Sequence, residues 1–339
     1  MAVPCEGFSR VNASLHAREA RSFYVWAWDV SLQSSDVAWK RHGMTTSVLV
    51  PDSLAREAED RREATRKLGY VARAATVFRV DRLTVYPDPD GRGKWESGFV
   101  ETVLRYAATP PYLRKEVWDR RDELEGVGVL PPLRVASRTG SGSDESGSLR
   151  QGIVTEVGAD GRVRVNCGLQ HPVSLPVPSG MATPSEGERV SVRVSSRRPV
   201  RAKIVDESPP GFAVDATDLD AALERDDAGL TIAASRYGEE LTVTKLDQLV
   251  GRLRDGGSSG SDEPTDTSDG EDSRGHLTVA FGAPERGLPA ILETDPPASG
   301  ETGDDWFDLW LNTVPSQGSE VVRTEEAVFA TLAPLNLSR

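Results

Sequence analysis

The sequence predicts an α/β protein whose parallel sheet is interrupted by a small β-barrel. Two blocks, 44–135 and 209–339, alternate strands with helices, which is the pattern of a parallel sheet covered by helices. The block between them, 149–208, contains only short alternating strands, as small barrels do. A Gly/Ser-rich segment, 136–148, has the composition of a flexible linker. With 339 residues, of which 37% are hydrophobic, the chain can bury a sizeable core.

Residues 1–43 differ from the rest of the chain. They hold three of the seven tryptophans and their charges nearly cancel, whereas the remainder is strongly acidic. A more typical opening follows at Met44. We expect Met44 to be the native start, with 1–43 a translated upstream segment; a genuine N-terminal extension is the alternative.

The first α/β block begins with a strand, a helix and a strand, at 47–50, 52–78 and 82–86. Asp52 or Ser53 can cap the helix, and Gly69 is expected to interrupt it. A helix-rich stretch follows at 97–125, with an apolar face formed by Phe99, Val103, Leu104 and Ala107. The Pro-Pro pair at 110–111 ends that helix, because proline has no amide hydrogen to donate.

The barrel block alternates apolar and polar residues around a Gly-Ala-Asp-Gly turn, which indicates a hairpin. Its basic side chains stand out in an acidic chain: Arg162, Arg164, Arg193, Arg197, Arg198, Arg201 and Lys203. This contrast favours contact with RNA, since cations neutralise phosphates. A solvated strand face is the alternative.

The second α/β block continues with a strand that ends at Ser235–Arg236, followed by a helix, a buried strand at 276–282 and a last strand at 307–315. The stretch 255–275, rich in Gly, Ser, Asp, Glu and Thr, predicts a disordered acidic loop. The last helix is expected to start at Thr324 as its N-cap, with a buried stripe of Val328, Leu332 and Leu335.

The charge and composition of the chain limit the classes of function that it can have. The net charge is -13, and only six of the 40 basic residues are lysine, which suggests a salt-loving host. In molar salt the Debye length is about 3 Å, so local arginines can hold RNA despite the overall charge. An acidic protein that never meets nucleic acid is the alternative. The scattered cysteines and histidines argue against a zinc site or a disulfide framework. The sequence has neither a membrane-spanning apolar run nor the form of a signal peptide, so we expect a cytoplasmic protein.

Loops that follow strand ends are the candidate site: "SRYG" (235–238), "FGAPERGL" (281–288) and "NTVPSQG" (312–318). Ligands of open α/β sheets bind beyond the carboxyl ends of strands. Gly282 and Gly287 are expected to allow close backbone approach. Their spacing is half of a phosphate loop, but Leu288 and Pro289 replace the required Lys-Ser/Thr, which excludes that chemistry. A dinucleotide fingerprint and a GxSxG elbow are both missing.

The motifs together resemble the SPOUT class of RNA methyltransferases. The resemblance is closest to the branch of RNA uridine-N3 methyltransferases in which an OB-like barrel interrupts the SPOUT domain. It rests on 72–86, "ATPPYLRKEVW" (108–118), "LPPLR" (130–134), "ASRYG" (234–238), "VAFGAPERGL" (279–288) and "LNTVPSQGSEVVRTEEAVFATLAPLN" (311–336). Segments 1–43 and 255–275 find no counterpart in it. Arg79 stands where the family pattern often has glycine.

The resemblance implies a parallel sheet with a C-terminal trefoil knot, S-adenosylmethionine as cofactor, ribosomal RNA as substrate, and a homodimer without metal. It implies that the cofactor pocket is lined by Arg236, Gly282, Ala283, Asn312 and Thr313, with further contacts from Pro284, Val314, Gln317 and Thr324. It also implies that Arg73 reaches the RNA; a surface helix charge is the alternative. Glu325 is the candidate general base by position, although capping of the last helix also accounts for Glu325 and Glu326.

Two other functions remain compatible with the sequence. One is a non-catalytic RNA-binding or ribosome-assembly protein on the same fold. The other is a small-molecule enzyme, which predicts that deletion of the barrel leaves activity intact.

Overall fold

The computed structural model describes residues 45–91, 93–135, 147–254, 275–295 and 306–336. Its larger sheet has six strands, all parallel, in the order β11-β9-β10-β1-β2-β8. These strands are β1 (Thr46–Pro51), β2 (Arg82–Tyr86), β8 (Ala213–Ala216), β9 (Leu230–Glu240), β10 (Leu277–Phe281) and β11 (Leu309–Asn312). The predicted α/β architecture with a parallel sheet is therefore confirmed. The predicted segment 1–43 lies outside the described residues, as do nearly all of 136–148 and 255–275.

Helices cover this sheet on both faces. They are α1 (Arg61–Val77), α2 (Phe99–Ala108), α3 (Arg114–Val117), α4 (Leu219–Leu223), α5 (Val243–Arg254), α6 (Leu288–Leu292) and α7 (Thr324–Leu335). Short 3-10 turns follow α3 at Asp122–Leu124 and Val127–Val129. The central strand β1 is buried along its whole length, because a parallel sheet covered on two faces has no solvent side. No helix in the described part of the chain is long and apolar enough to cross a membrane.

In the chain order, a second, antiparallel sheet is inserted between β2 and β8, which are paired neighbours in the first sheet. Its order is β5-β4-β3-β6-β7, and its edge strands β5 and β7 approach each other, so the sheet nearly closes. The strands are β3 (Ser148–Val157), β4 (Arg162–Asn166), β5 (Val173–Pro176), β6 (Arg189–Arg197) and β7 (Val200–Val205). Valines of alternate positions fill its core, and the Gly-Ala-Asp-Gly turn joins β3 to β4.

The first helix differs from its prediction at both points that the sequence suggested. It begins at Arg61 after Asp60, whose side chain accepts a hydrogen bond from the Glu63 amide, so the prediction of Asp52 or Ser53 as cap was wrong. It also continues through Gly69 without a break. Gly69 serves packing instead, because a Cβ there would lie 2.5 Å from Pro131 Cδ. The helix thus presses its glycine against the 130–134 segment.

Two helical glycines give opposite predictions. Gly69→Ala is expected to lower the free energy of unfolding by about 1–3 kcal/mol, because the added methyl group overpacks against Pro131. Gly251→Ala, in α5, meets nothing within 4 Å and is expected to raise it by up to about 1 kcal/mol through helix propensity. Urea unfolding of both variants measures the difference. Stabilisation by both substitutions would contradict the packing at Gly69.

The end of α1 explains the arginine that departs from the family pattern. Arg79 follows the helix with a φ of 53°, in the left-handed region that glycine adopts at little cost. A glycine in that place would satisfy the same backbone. Arg79 therefore occupies a backbone conformation in which glycine would be the less strained residue.

Candidate functional site

The three loops predicted from the sequence converge on one cavity of about 370 Å³ at the carboxyl ends of β9, β10 and β11. This volume is in the range of small-molecule sites, roughly 300–1,000 Å³. Segments from 234–237, 281–290, 312–317 and 320–327 contribute to its walls. The cavity therefore lies where parallel sheets bind ligands.

The "SRYG" loop is an excursion within a strand. The prediction that the strand ends at Ser235–Arg236 was wrong, since β9 continues to Glu240. Its register with β11 jumps from Ala233–Trp310 to Leu311–Glu239, so 234–238 bulge out toward the cavity. Only glycine fits at 238, because a Cβ there would lie 2.4 Å from the Leu311 amide nitrogen.

Asn312 ties the first loop to the third. Its Nδ2 donates to the Arg236 carbonyl at 3.2 Å, and its Oδ1 accepts from the Val314 amide at 3.0 Å. Thr313 Oγ1 lies 2.8 Å from Thr331 Oγ1 on α7. The two loops are thereby held in one arrangement, which preorganises the cavity wall.

The last helix holds the middle loop. Thr324 was predicted as the N-cap, but the cap is Arg323, whose amide donates to Glu326 Oε2 at 3.0 Å. Thr324 is the first helical residue, and its hydroxyl donates instead to the Gly282 carbonyl at 2.9 Å. The residue expected to start α7 thus connects α7 to the glycine loop. The predicted stripe of Val328, Leu332 and Leu335 is buried, which confirms it.

The middle loop is a tight turn over 283–286, closed by backbone hydrogen bonds between Ala283 and Arg286. Pro284 occupies its second position and Glu285 its third, with a φ of 61°. Glycine is the usual residue at a third turn position with positive φ. Glu285 is exposed and lines the cavity. Its strained backbone conformation therefore indicates a functional role for the side chain rather than a contribution to stability.

Of the two glycines in this loop, only Gly282 requires its lack of a side chain. A Cβ at Gly282 would lie 2.7 Å from the Leu288 amide nitrogen and 2.8 Å from Gly287 Cα. At Gly287, in contrast, a Cβ would meet only Pro289 Cδ at 3.6 Å, an ordinary contact. The close approach predicted for both glycines therefore holds for Gly282 and was wrong for Gly287.

A buried ion pair anchors the turn to the first half of the chain. Arg286 Nε donates to both oxygens of Asp88, at 3.0 and 3.2 Å. Asp88 is 1% exposed and also accepts from Ser53 Oγ at 2.5 Å, while its amide donates to Asp52. Asp52 and Ser53, predicted as helix caps, hold this anchor instead.

Removal of the anchor should be costly. Arg286→Met leaves Asp88 buried without its cation and is expected to lower the free energy of unfolding by about 2 kcal/mol. Arg164→Met removes a comparable pair with Glu156 whose side chains are both 59% exposed, and should cost less than about 0.5 kcal/mol. Equal losses in thermal unfolding would show that the anchor contributes no more than a surface pair.

The structure brings together most of the residues that the resemblance implied for the cofactor. The cavity is lined by Arg236, Gly282, Ala283, Asn312, Thr313, Val314, Gln317 and Thr324. Pro284 is buried in the turn and is not among the lining residues. Gln317 holds its own loop, with Nε2 donating to the Ser319 carbonyl at 2.9 Å.

Arg73 and Glu325 do not line the cavity. Arg73 donates to the Leu133 carbonyl at 2.5 Å, so it secures the segment beside α1. Glu325 is buried on α7 near Lys67, which pairs with Glu57. Two carboxylates line the cavity instead, Glu285 and Glu320, and the motifs singled out neither of them.

The buried position of Glu325 has a pH signature. Burial is the main cause that raises the pKa of Glu325, so the folded protein retains a proton that the unfolded chain releases at about pH 4.3. The stabilising contribution is complete below that pH and is lost as the pH rises through the folded pKa. Glu325→Gln should therefore be more stable than the wild type at neutral pH, with no difference near pH 4. Chemical unfolding across this range measures the effect, and a pH-independent difference would contradict it.

Within the described residues, no group of three or more His, Cys, Asp or Glu side chains is arranged to hold a metal ion.

Tyr237 is a further cavity residue that the motifs did not single out. It is 43% exposed at the cavity, and the Arg236 guanidinium lies 4.8 Å from its ring centre. An exposed aromatic with a stacked arginine is a surface for a planar ligand.

Comparison with known proteins identifies the family of this chain. The family described as "Putative RNA methyltransferase" matches residues 45–335. An uncharacterized protein of Haloarcula marismortui is 72% identical over 299 residues, which cover 87% of this chain and 100% of that protein. An uncharacterized protein of Halobacterium salinarum is 62% identical, with coverage of 87% and 100%. The mouse protein named 28S rRNA (uridine-N(3))-methyltransferase is 28% identical over 324 residues, covering 86% of this chain and 76% of the mouse protein. With a match that extends over nearly all of the described residues, the chain belongs to this family of RNA methyltransferases.

Proposed function

We propose that this protein is an S-adenosylmethionine-dependent methyltransferase that modifies N3 of a uridine in ribosomal RNA. The observation that carries the proposal is the convergence of three post-strand loops on one cavity in a chain of an RNA methyltransferase family. The substrate is inferred from relatives named as 28S rRNA uridine-N3 methyltransferases in mouse, human and Drosophila melanogaster.

The side chains of the cavity suit the groups of this methyl donor. Arg236 offers a cation for its carboxylate, whereas Glu285 and Glu320 offer negative charge near its cationic groups. The backbone at Gly282 allows close approach, and Phe281 and Val321 supply apolar surface for an adenine. When bound, the donor supplies an electrophilic methyl group on a positively charged sulfur.

The protein's own residues then have to present the uridine and remove its N3 proton. A paired uridine cannot present N3, so the target is unpaired or flipped out of its stem. We assign the stacking surface for the base to Tyr237, supported by its exposure and by the neighbouring Arg236. We assign acceptance of the proton to Glu285 in place of Glu325, because Glu285 lines the cavity and Glu325 does not. Glu320 also lines the cavity, but Glu285 is the one held in a turn with a positive φ. The electron pair of the N3–H bond would stay on N3 and form the new N–C bond, while the C–S bond breaks and its electron pair remains on the neutral sulfur of the leaving group.

The resemblance extends the proposal to the architecture. We propose that the C-terminal segment forms a trefoil knot, that the antiparallel sheet is an OB-like barrel and that the protein is a homodimer. The homodimer is supported by exposed apolar side chains on α1, Tyr70 at 46% and Val77 at 45%, close to the Phe78–Phe329 ring pair. An RNA substrate supports a cytoplasmic location. The low lysine content and the Haloarcula and Halobacterium relatives support a salt-loving host.

The proposal is tested by calorimetric titration of the protein with S-adenosylhomocysteine in molar potassium chloride. We expect saturable binding with one site per chain, lost on Asn312→Ala, which unties the two loops, while RNA binding is retained. A folded protein that binds RNA but not S-adenosylhomocysteine would instead be a non-catalytic RNA-binding protein.

A further inference from the structure

A basic cleft lies at the seam of the barrel, where β5 and β7 approach each other. It encloses about 580 Å³, between Ser174 on one side and Ser195 on the other. Its cationic lining consists of Arg162, Arg193, Arg201 and Lys203, and the described lining includes no aspartate or glutamate. The cleft therefore concentrates positive charge in a protein of net charge -13.

Strand register builds this cluster. Arg193 on β6 pairs with Lys203 on β7, and Arg201 shares a face with Lys203 because it is two residues away on the same strand. On the other wall, Arg162 is fixed to β5, with Nε 3.0 Å from Ser174 Oγ and Nη2 2.8 Å from the Ser174 carbonyl. The cations are held by the backbone ladder rather than by flexible loops.

The charge of the cleft is not compensated. Arg193 is buried and paired with Glu207, and Arg164, outside the cleft, is paired with Glu156. Arg162, Arg201 and Lys203 are exposed, and the described residues provide no carboxylate within ion-pair distance of them. Carboxylates outnumber cations in this chain, so three uncompensated cations in one cleft indicate an external anion.

We propose that this cleft binds the phosphate backbone of a single-stranded segment of the RNA substrate, through Arg162, Arg201 and Lys203. The inference rests on the proposed function. A strand fits better than a duplex, because the target uridine has to be unpaired and because a small barrel holds about 4–16 nucleotides of single strand. Val200, 47% exposed, and Val173 border the cations and offer apolar surface to the sugars and bases. The barrel thus holds a part of the RNA apart from the residue that is methylated.

The test compares three variants by fluorescence anisotropy with a labelled oligouridine of about 16 nucleotides, over a series of potassium chloride concentrations. The triple variant Arg162→Gln, Arg201→Gln, Lys203→Gln should bind at least about tenfold more weakly at low salt, and the slope of log K against log salt should fall by about 2. Arg164→Gln is the matched control, from the same strand, and should bind like the wild type. Restoring charge with Lys at 162 and 201 and the native Lys203 should restore most of the affinity.

The inference is overturned if the triple variant binds oligouridine with the wild-type affinity and slope, or if polyglutamate competes with the wild-type site as well as RNA does. S-adenosylhomocysteine titrations of the same preparations separate the inference from the proposed function. A triple variant that binds S-adenosylhomocysteine normally and loses RNA supports the inference. A different result is that the wild-type protein has no affinity for S-adenosylhomocysteine while the triple variant still loses RNA binding. That result would refute the proposed function and support the RNA cleft.

Discussion

Glu285→Gln is expected to lower kcat for RNA methylation by about 10²–10⁴-fold, with S-adenosylhomocysteine affinity nearly unchanged. Gln keeps the size of the side chain but cannot accept the uridine N3 proton. Glu285 is the appropriate residue because it is exposed, lines the cavity and is held in a turn that Ala283 and Arg286 close. Single-turnover methylation kinetics measure the effect without a contribution from product release.

Glu325→Gln is the matched control for this prediction. It changes the same chemical group on α7, outside the cavity, and should leave kcat within a few-fold of wild type. Glu285→Gly adds a second test, since glycine removes the strain of a φ of 61° and should raise the free energy of unfolding by about 1 kcal/mol. A more stable and inactive Glu285→Gly would separate function from folding. Full activity of Glu285→Gln together with loss of activity in Glu325→Gln would show that the general base is Glu325 on α7.

The second large effect concerns Gly282. Gly282→Ala is expected to weaken S-adenosylhomocysteine binding at least about a hundredfold, which corresponds to about 2.7 kcal/mol. The added methyl group would lie 2.7–2.9 Å from backbone atoms of Gly287 and Leu288, so the 282–288 loop has to move away from the cavity. Backbone cannot rotate aside as a flexible side chain can, and the Thr324 hydrogen bond to the Gly282 carbonyl would be displaced as well.

Gly287→Ala, five residues along the same loop, is the control for Gly282→Ala. Its Cβ meets only Pro289 at 3.6 Å and its φ of -68° suits any residue, so binding should remain within a few-fold of wild type. Calorimetry of both variants decides the point. Similar losses at the two positions would mean that the loop tolerates no change at all, rather than that one close backbone approach shapes the cavity.

Local patterns in the sequence were sufficient for the parts of the fold that depend on neighbouring residues. The strand at 82–86 and the apolar face of α2 could be predicted because buried strands and amphipathic helices repeat over a few residues. The predicted break of the helix at Gly69 was wrong because local propensity does not include contacts with residues distant in sequence. A glycine in a helix is unfavourable by propensity, but here Pro131, far along the chain, occupies the space that a side chain would fill.

The site depended on partners distant in sequence. The excursion at 234–238 arises from the register jump against β11 and from the Asn312 side chain, 76 residues from Arg236. The anchor between Asp88 and Arg286 spans 198 residues, so Ser53 and Asp52 read locally as helix caps. The motif resemblance identified the three loops, because motifs preserve such long-range arrangements. It did not identify Glu285, whose significance lies in its φ and its exposure in the folded turn.

The most direct test of the central claim is nucleoside mass spectrometry of unmodified ribosomal RNA, transcribed in vitro and incubated with the protein and S-adenosylmethionine in molar potassium chloride. We expect 3-methyluridine with the wild-type protein and none with Gly282→Ala. A methyl group on a ribose oxygen would contradict the assigned chemistry at N3. Transfer of no methyl group by a protein that binds both S-adenosylhomocysteine and the RNA would contradict the proposed activity.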